Sequence, residues 1–172
     1  MRALAVQEHL PEEAADIGHG IKLRTPSFIP EAPVRDFTVP GKVLKSYYPS
    51  NRSALLVFYA PDAFDAGSLA EGMDQITGQY ETVLQVKIHR KEMTKLADYD
   101  AASFIMEGYG TGRSISMSQG KKPEGTVQRW VVAQRNRDLI GFLLTAGSAE
   151  FDQRNAEFET WLKHVEISDQ GG

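Results

Sequence analysis

The chain has 172 residues, a net charge of -4 and 24% charged residues, which suits one domain whose core needs no disulfide. Positive and negative residues are interspersed, and the absence of a basic stripe argues against a dedicated nucleic-acid binder. Cysteine is absent, which excludes disulfides, thiol catalysis and cysteine-ligated metal sites.

The N-terminal segment, residues 1–20, is predicted to be an acidic lead-in to a single α+β domain at 21–168, followed by a tail at 169–172. Its carboxylates are Glu8, Glu12, Glu13 and Asp16. Residues 21–23 predict a first short strand. Four prolines then follow at short intervals and favour a loop or an edge strand, because proline donates no amide hydrogen bond: Pro26, Pro30, Pro33 and Pro40.

The middle of the chain predicts two strands and a helix. Residues 43–48 read as a strand, and the uniformly apolar residues 54–59 predict a central strand covered on both sides. Ser68 and Glu71 fit a capping box that begins a helix reaching Tyr80. The helix buries one stripe at helical spacing, namely Leu69, Met73, Ile76 and Tyr80.

Three further strands are predicted beyond this helix. Residues 82–90 alternate between apolar and polar side chains, which is typical of a half-exposed strand. Residues 101–109 and 113–117 are the other two, and residues 120–125 predict a polar loop.

The last third has the clearest pattern. Residues 127–145 predict a β-hairpin that turns at 135–138, with Val127, Arg129, Val131 and Ala133 on one face and Gln128, Trp130, Val132 and Gln134 on the other. Residues 148–165 predict a long amphipathic helix, since apolar residues recur there at spacings of three, four and seven. Residues 165–167 predict a final short strand.

No segment carries a catalytic, metal or cofactor motif. Residues 108–114 are rich in glycine but lack the spacing of a phosphate-binding loop, so a hairpin turn or bulge is favoured. His9, His19, His89 and His164 do not occur at metal-ligand spacing. A catalytic role for Asp98, Asp100, His89 or Arg113 stays open, although the two aspartates favour a turn.

The arginines of the C-terminal hairpin are the candidate partner-binding residues. Arg129, Arg135 and Arg137 cluster around Trp130, and arginine beside an aromatic residue is typical of protein-recognition surfaces. The alternative is a solvated hairpin with a tryptophan in the core.

Residues 100–167 also carry a family resemblance. A small-residue strand from Ala101 leads to the hairpin containing Trp130 and Phe142, a helix that ends at Trp161, and a short strand from Val165. This order resembles the PsbP-like superfamily, which includes photosystem accessory proteins, Ran-binding Mog proteins, DcrB-like proteins and Eag chaperones of type VI secretion effectors. The resemblance implies an α/β/α sandwich in which helices flank a twisted antiparallel sheet of about six strands. No functional residue is transferred, because fold alone does not confer function.

The sequence therefore favours a non-enzymatic accessory protein, chaperone or assembly factor without a cofactor. Its partner would be another protein, such as a secreted effector or a complex subunit, and a homodimer is also open. A small-molecule or lipid binder, with a pocket between the sheet and the helix at 68–80, is the alternative. No apolar run reaches the roughly 18 residues needed to cross a bilayer, so we expect a cytoplasmic protein, or a periplasmic one if a signal peptide was removed.

Overall fold

The computed structural model describes residues 13–25, 31–32, 39–64, 68–83, 86–107 and 126–169. The glycine-rich segment 108–114, the strand predicted at 113–117, the loop at 120–125, and residues 1–12 of the acidic lead-in all lie outside the described residues, as do Pro26, Pro30 and Pro33.

Seven strands of the described chain form one antiparallel sheet. Its strands, in chain order, are β3 (Glu31–Ala32), β4 (Lys42–Ser50), β5 (Ser53–Ala60), β6 (Lys87–Leu96), β7 (Tyr99–Glu107), β8 (Thr126–Arg135) and β9 (Asp138–Gly147). Their order across the sheet is β3-β4-β5-β9-β8-β7-β6. Six strands are long and β3 has two residues, so the prediction of about six strands is confirmed. The apolar strand β5 lies between β4 and β9, and its residues from Ser53 to Phe58 are buried on both faces of the sheet, as predicted for a central strand.

A second, smaller sheet brings the two ends of the described chain together. It consists of β1 (Ala15–Gly18), β2 (Ile21–Leu23) and β10 (Glu166–Ile167), with β2 in the centre. The predicted strands at 21–23 and 165–167 are thus present, and β1 pairs from within the segment predicted as a lead-in. The turn between β1 and β2 contains Gly18, His19 and Gly20 at φ angles of 97°, 55° and 75°.

Helix α1 (Leu69–Val83) covers one face of the main sheet. The Ser68 Oγ accepts a hydrogen bond from the Glu71 amide at 3.3 Å, which is the serine half of the predicted capping box. Leu69, Met73 and Tyr80 are buried against the sheet.

The strand predicted at 82–90 begins later than its pattern suggested. Helix α1 continues to Val83, with Thr82 donating a hydrogen bond to the Gly78 carbonyl at 3.0 Å, and β6 then spans Lys87–Leu96. Alternation cannot locate this boundary, because an apolar residue at Val83 suits the end of a helix as well as a strand.

Helix α2 (Phe151–Leu162) and the small sheet cover the opposite face. Phe158 and Trp161 of α2 pack with Phe142 and Val131 of the sheet. The helix is shorter than the predicted 148–165, because turns occupy residues 148–150 and 163–164. The layers are α1, the main sheet, and α2 with the small sheet, so the expected α/β/α arrangement is confirmed.

The two glycines of α1 meet different surroundings. A Cβ atom at Gly72 would lie 2.7 Å from the Phe64 ring, whereas a Cβ atom at Gly78 would meet nothing within 4 Å. A pocket was considered between the sheet and this helix, and at Gly72 the space is occupied by Phe64, which is buried.

These glycines give a matched test of the packing. We expect Gly78→Ala to raise the free energy of unfolding by about 1 kcal/mol, because alanine favours the helix and has room there. Gly72→Ala should be less stable than Gly78→Ala by about 1–3 kcal/mol, since the new methyl group displaces the Phe64 ring. Urea unfolding of both variants measures the difference, and equal stabilities would contradict the contact.

The buried phenol of Tyr80 predicts a loss of stability at alkaline pH. Its ring centroid lies 5.5 Å from that of Trp130, and burial raises the pKa of Tyr80 from 10.0 to about 12. As the pH rises, Tyr80 ionises in the unfolded chain before it ionises in the folded chain. Its contribution to the free energy of unfolding is therefore complete below pH 10, and it falls by roughly 1.4 kcal/mol per pH unit as the pH rises towards 12. Tyr80→Phe should reduce this slope in urea unfolding between pH 10 and 12, with pH 7 as the baseline. An unchanged slope would contradict the assignment.

Candidate partner interface

The four residues predicted as a partner surface do not form one exposed patch. The Arg129 side chain is 14% exposed, Trp130 is 1% exposed and Arg135 is 2% exposed. Arg137, in the turn between β8 and β9, has a side chain that is 58% exposed. Only Arg137 among the four is therefore exposed in this chain.

Arg129 connects the sheet to α2. Its Nε donates to the Ser103 Oγ at 2.8 Å, and its Nη1 donates to the Asn155 Oδ1 at 3.1 Å and the Glu159 Oε1 at 2.6 Å. The guanidinium thus spans from β8 across β7 to the helix, and its hydrogen bonds are made within the chain.

Trp130 lies in the core on the α1 side. Its ring stacks on Phe104 with centroids 5.5 Å apart and meets Phe58 edge-on at 5.6 Å. The indole Nε1 donates to the Gln128 Oε1 at 2.9 Å, which satisfies its one buried donor. This environment matches the alternative interpretation of a core tryptophan.

Arg135 joins the small sheet to the main one. Its Nη1 donates to the His19 carbonyl at 2.5 Å and to the Ser168 carbonyl at 3.0 Å. Its Nη2 is buried, and no hydrogen-bond partner for it is found among the described residues. The Arg135 side chain therefore binds both the turn between β1 and β2 and the residue that follows β10. The same two segments are also joined by a hydrogen bond from the Ser168 amide to the Gly20 carbonyl at 2.9 Å.

A tyrosine–aspartate pair lies beside this arginine. Tyr59 donates to the Asp138 Oδ2 at 2.6 Å, and the Asp62 amide donates to the Oδ1 at 3.0 Å. Burial opposes ionisation of Asp138, but these hydrogen bonds and the Arg135 charge outweigh it and lower its pKa. Burial, followed by the bond to Asp138, raises the pKa of Tyr59. Both shifts move the pKa values further from pH 7, whereas a general acid or base is most effective when its pKa lies near the working pH.

An open groove of about 580 Å³ lies along the small sheet, and its lining includes His19 and Ser168, whose carbonyls bond to Arg135. It is lined by side chains of both charges, including Asp16, Lys22 and Glu166, and by the turn at His19. The mixture of charges in an open groove selects no particular ligand.

Among the residues that the structure describes, strand β6 forms one edge of the main sheet and pairs with β7 alone. It has ten residues, and all of them except Ile88, His89 and Leu96 are exposed. Met93 is 56% exposed and is the only exposed large hydrophobic residue in the described part of the chain. Since helices cover both sheet faces, this edge is the strongest candidate for an interface.

Near the C-terminal end of β6, some backbone groups are not used in its pairing with β7, and within the described ranges no other strand pairs with them. Leu96 faces Tyr99 across a turn at Ala97 and Asp98, whose φ angles are 49° and 70°, as in a type I′ hairpin. The pair next to such a turn exchanges hydrogen bonds, and the pairs alternate from there. The amides and carbonyls of Met93 and Lys95 consequently point away from β7.

A bulge limits this free stretch. The register shifts between His89 and Glu92, where Arg90 has a φ of 54°. A bulge bends an edge strand and interrupts pairing, which leaves Glu92–Leu96 as the straight part.

The residues considered for catalysis do not converge. Asp98 lies in the turn between β6 and β7, and Asp100 forms an ion pair with Lys95. The His89 Nε2 lies 3.0 Å from the Glu107 Oε2. His89 faces Ile105 of β7, five residues from Asp100, which corresponds to about 17 Å along a strand. Arg113 lies outside the described residues.

Within the described residues no group of three or more His, Cys, Asp or Glu side chains is placed to hold a metal ion. None of the helices in these ranges is long and apolar enough to span a membrane.

Comparison with solved structures identifies the fold. Cyanobacterial PsbP (CyanoP) from Synechocystis aligns with a TM-score of 0.62 at 12% identity, covering 93% of each chain. The chain has the PsbP-like fold. LpqN of Mycobacterium tuberculosis aligns with a TM-score of 0.54 at 13% identity over 95% of each chain. The Ran-binding protein Mog1p of Saccharomyces cerevisiae gives 0.54 at 9% identity, over 86% of this chain and 90% of Mog1p.

The PsbP-like resemblance extends beyond residues 100–167, since these alignments cover 86–95% of the chain. No family model and no curated protein matches the sequence. At these identities the likeness concerns the fold.

Sequence reasoning missed the edge strand β6 as a candidate site. The signal was present in its four cations, Lys87, Arg90, Lys91 and Lys95, because lysine is typical of exposed sheet edges. The position of β6 at the edge, however, depends on the strand order.

The role of Arg135 can be tested by making the same substitution at Arg135 and at Arg137, which lies near the same turn. We expect Arg135→Met to lower the free energy of unfolding by roughly 2–4 kcal/mol, because two carbonyls lose their donor. It should also speed hydrogen exchange of the Ser168 amide. Arg137→Met, with the same change in an exposed side chain, should cost under about 1 kcal/mol. Similar losses in the two variants would contradict the role assigned to Arg135.

Proposed function

We propose that the chain is a non-enzymatic accessory protein, a chaperone or an assembly factor, that binds another protein through the edge of β6. The observation that carries this proposal is the exposed ten-residue outer strand beside a sheet whose faces are covered by helices. Addition of a strand to such an edge supplies main-chain hydrogen bonds to a partner.

The solved structures with the same fold support a binding role in general terms. Mog1p is described as Ran-binding, so this fold serves protein recognition in at least one protein. The partner there is not transferred, since fold does not determine function.

The residues of the C-terminal hairpin have a different part in this proposal. Arg137 is the exposed member of the predicted set, and its Nε lies 3.8 Å from the Asp62 Oδ1. Arg129, Trp130 and Arg135 support an interface indirectly, by fixing the layers that present β6.

The alternative of a small-molecule or lipid ligand between the sheet and α1 has weaker support. Phe64 fills the space at Gly72, and the Trp130 ring packs against Tyr80 of the helix. Native mass spectrometry of the chain purified from its source tests this alternative, and a stoichiometric bound ligand would favour it.

The absence of cysteine allows a site-specific test of the edge. Met93→Cys, labelled with a photo-activated crosslinker, should capture a discrete protein adduct in a lysate of the source organism. Asp152→Cys, on the exposed surface of α2, is the matched control and should not give this adduct.

A second substitution asks whether strand pairing is responsible. Adding Lys95→Pro to Met93→Cys should abolish the adduct, because proline removes an outward amide and edge positions tolerate it. Circular dichroism checks that the fold persists. Equal capture at positions 93 and 152, or none at position 93, would contradict a partner at this edge.

A further inference from the structure

The side chains of β6 give its edge a single dominant charge. Four are cationic and one is acidic, namely Lys87, Arg90, Lys91 and Lys95 against Glu92. On the α1 side the exposed Met93 lies between Lys91, which bonds to Asp74 and Thr77 of α1, and Lys95. The edge therefore presents cation, apolar and cation at alternate positions.

These cations disfavour a second copy of the chain as the occupant of the edge. In an antiparallel pair of β6 strands centred on Met93, Lys95 of each copy would come close to Lys91 of the other, at the border of the bulge. Like charges directly opposite one another destabilise a pair of strands.

We infer that the edge takes an extended segment of another protein with acidic side chains on both sides of an apolar one, at alternate positions. This inference rests on the proposed function and specifies the partner's chemistry. Opposite charges and apolar pairs directly across two strands are mutually stabilising. Within the straight segment, an apolar and an acidic residue at alternate positions complement Met93 and Lys95, and the second acidic residue lies beside Lys91, where the bulge begins.

The cations are available for such a partner. Lys95 pairs with Asp100 at 2.6 Å, and both side chains are exposed, so solvent screens the pair and it exchanges at little cost. The bond from Lys91 to Thr77 at 3.1 Å places its ammonium group at the junction of the helix and the edge. An incoming carboxylate would share these ammonium groups with Asp74 and Asp100.

A peptide titration of the isotope-labelled full chain, followed by NMR, tests the inference. The probe is the blocked peptide Thr-Glu-Thr-Leu-Thr-Glu-Thr, and the control peptide replaces both glutamates with lysine. We expect the acidic peptide to shift the amides of Met93 and Lys95 and to bind about tenfold more tightly than the control. Added salt should reduce the difference.

A charge reversal in the chain provides the second arm. Lys95→Glu should weaken the acidic peptide about tenfold and strengthen the lysine peptide. Lys163→Glu, the same change at an exposed position after α2, should alter neither.

Three results would overturn the inference. They are failure of the acidic peptide to bind at millimolar concentration, equal shifts at β6 from both peptides, and a dimer in sedimentation velocity that Met93→Pro dissociates. Equal shifts would remove the charge preference and leave the edge as a binding site, whereas loss of the crosslinked adduct at position 93 would remove the edge itself.

Discussion

A buried arginine holds the two ends of the described chain against the middle of the main sheet. Arg135 ends β8, and its hydrogen bonds reach the turn at His19 and the residue that follows β10, Ser168. Burying a cation is costly unless hydrogen bonds and neighbouring charge compensate. The two carbonyls and the nearby ionised Asp138 provide that compensation, so the small sheet is fixed relative to the large one.

The fold was largely predictable where one periodicity dominates. From Val127 to Ala133, odd residues face α2 and even residues face α1, as alternation requires,. The strand β5 was recognisable as central for a different reason, because its residues are uniformly apolar and both its faces are buried. Prediction failed at Thr82 and Val83, which belong to helix α1 and not to the following strand, since the local pattern there fits two structures.

The candidate site was less predictable, because residue type does not report depth. Arg129 and Arg135 are odd-numbered like Val131, and alternate residues of a strand lie on the same face. Their positions therefore indicated that they lie under α2 and the small sheet. Arg137 is exposed because it occupies the turn. Grouping the three by their charge overlooked this difference. For Trp130, the three aromatic partners come from two strands and a helix that are distant in sequence, whereas its amide partner Gln128 lies two residues away on the same strand.

The two edges of the main sheet differ in length and in chemistry. One edge ends in the two-residue strand β3, and the other ends in the ten-residue strand β6. A short edge strand offers little for another chain to pair with, whereas a long one invites pairing unless charge or a bulge prevents it. Strand β6 has both defences, with the bulge near Arg90 and cations on either side of it. Cationic side chains on an edge repel a second cationic strand and attract an acidic one. The lysines that oppose self-association therefore also make the straight segment Glu92–Leu96 prefer an acidic partner strand.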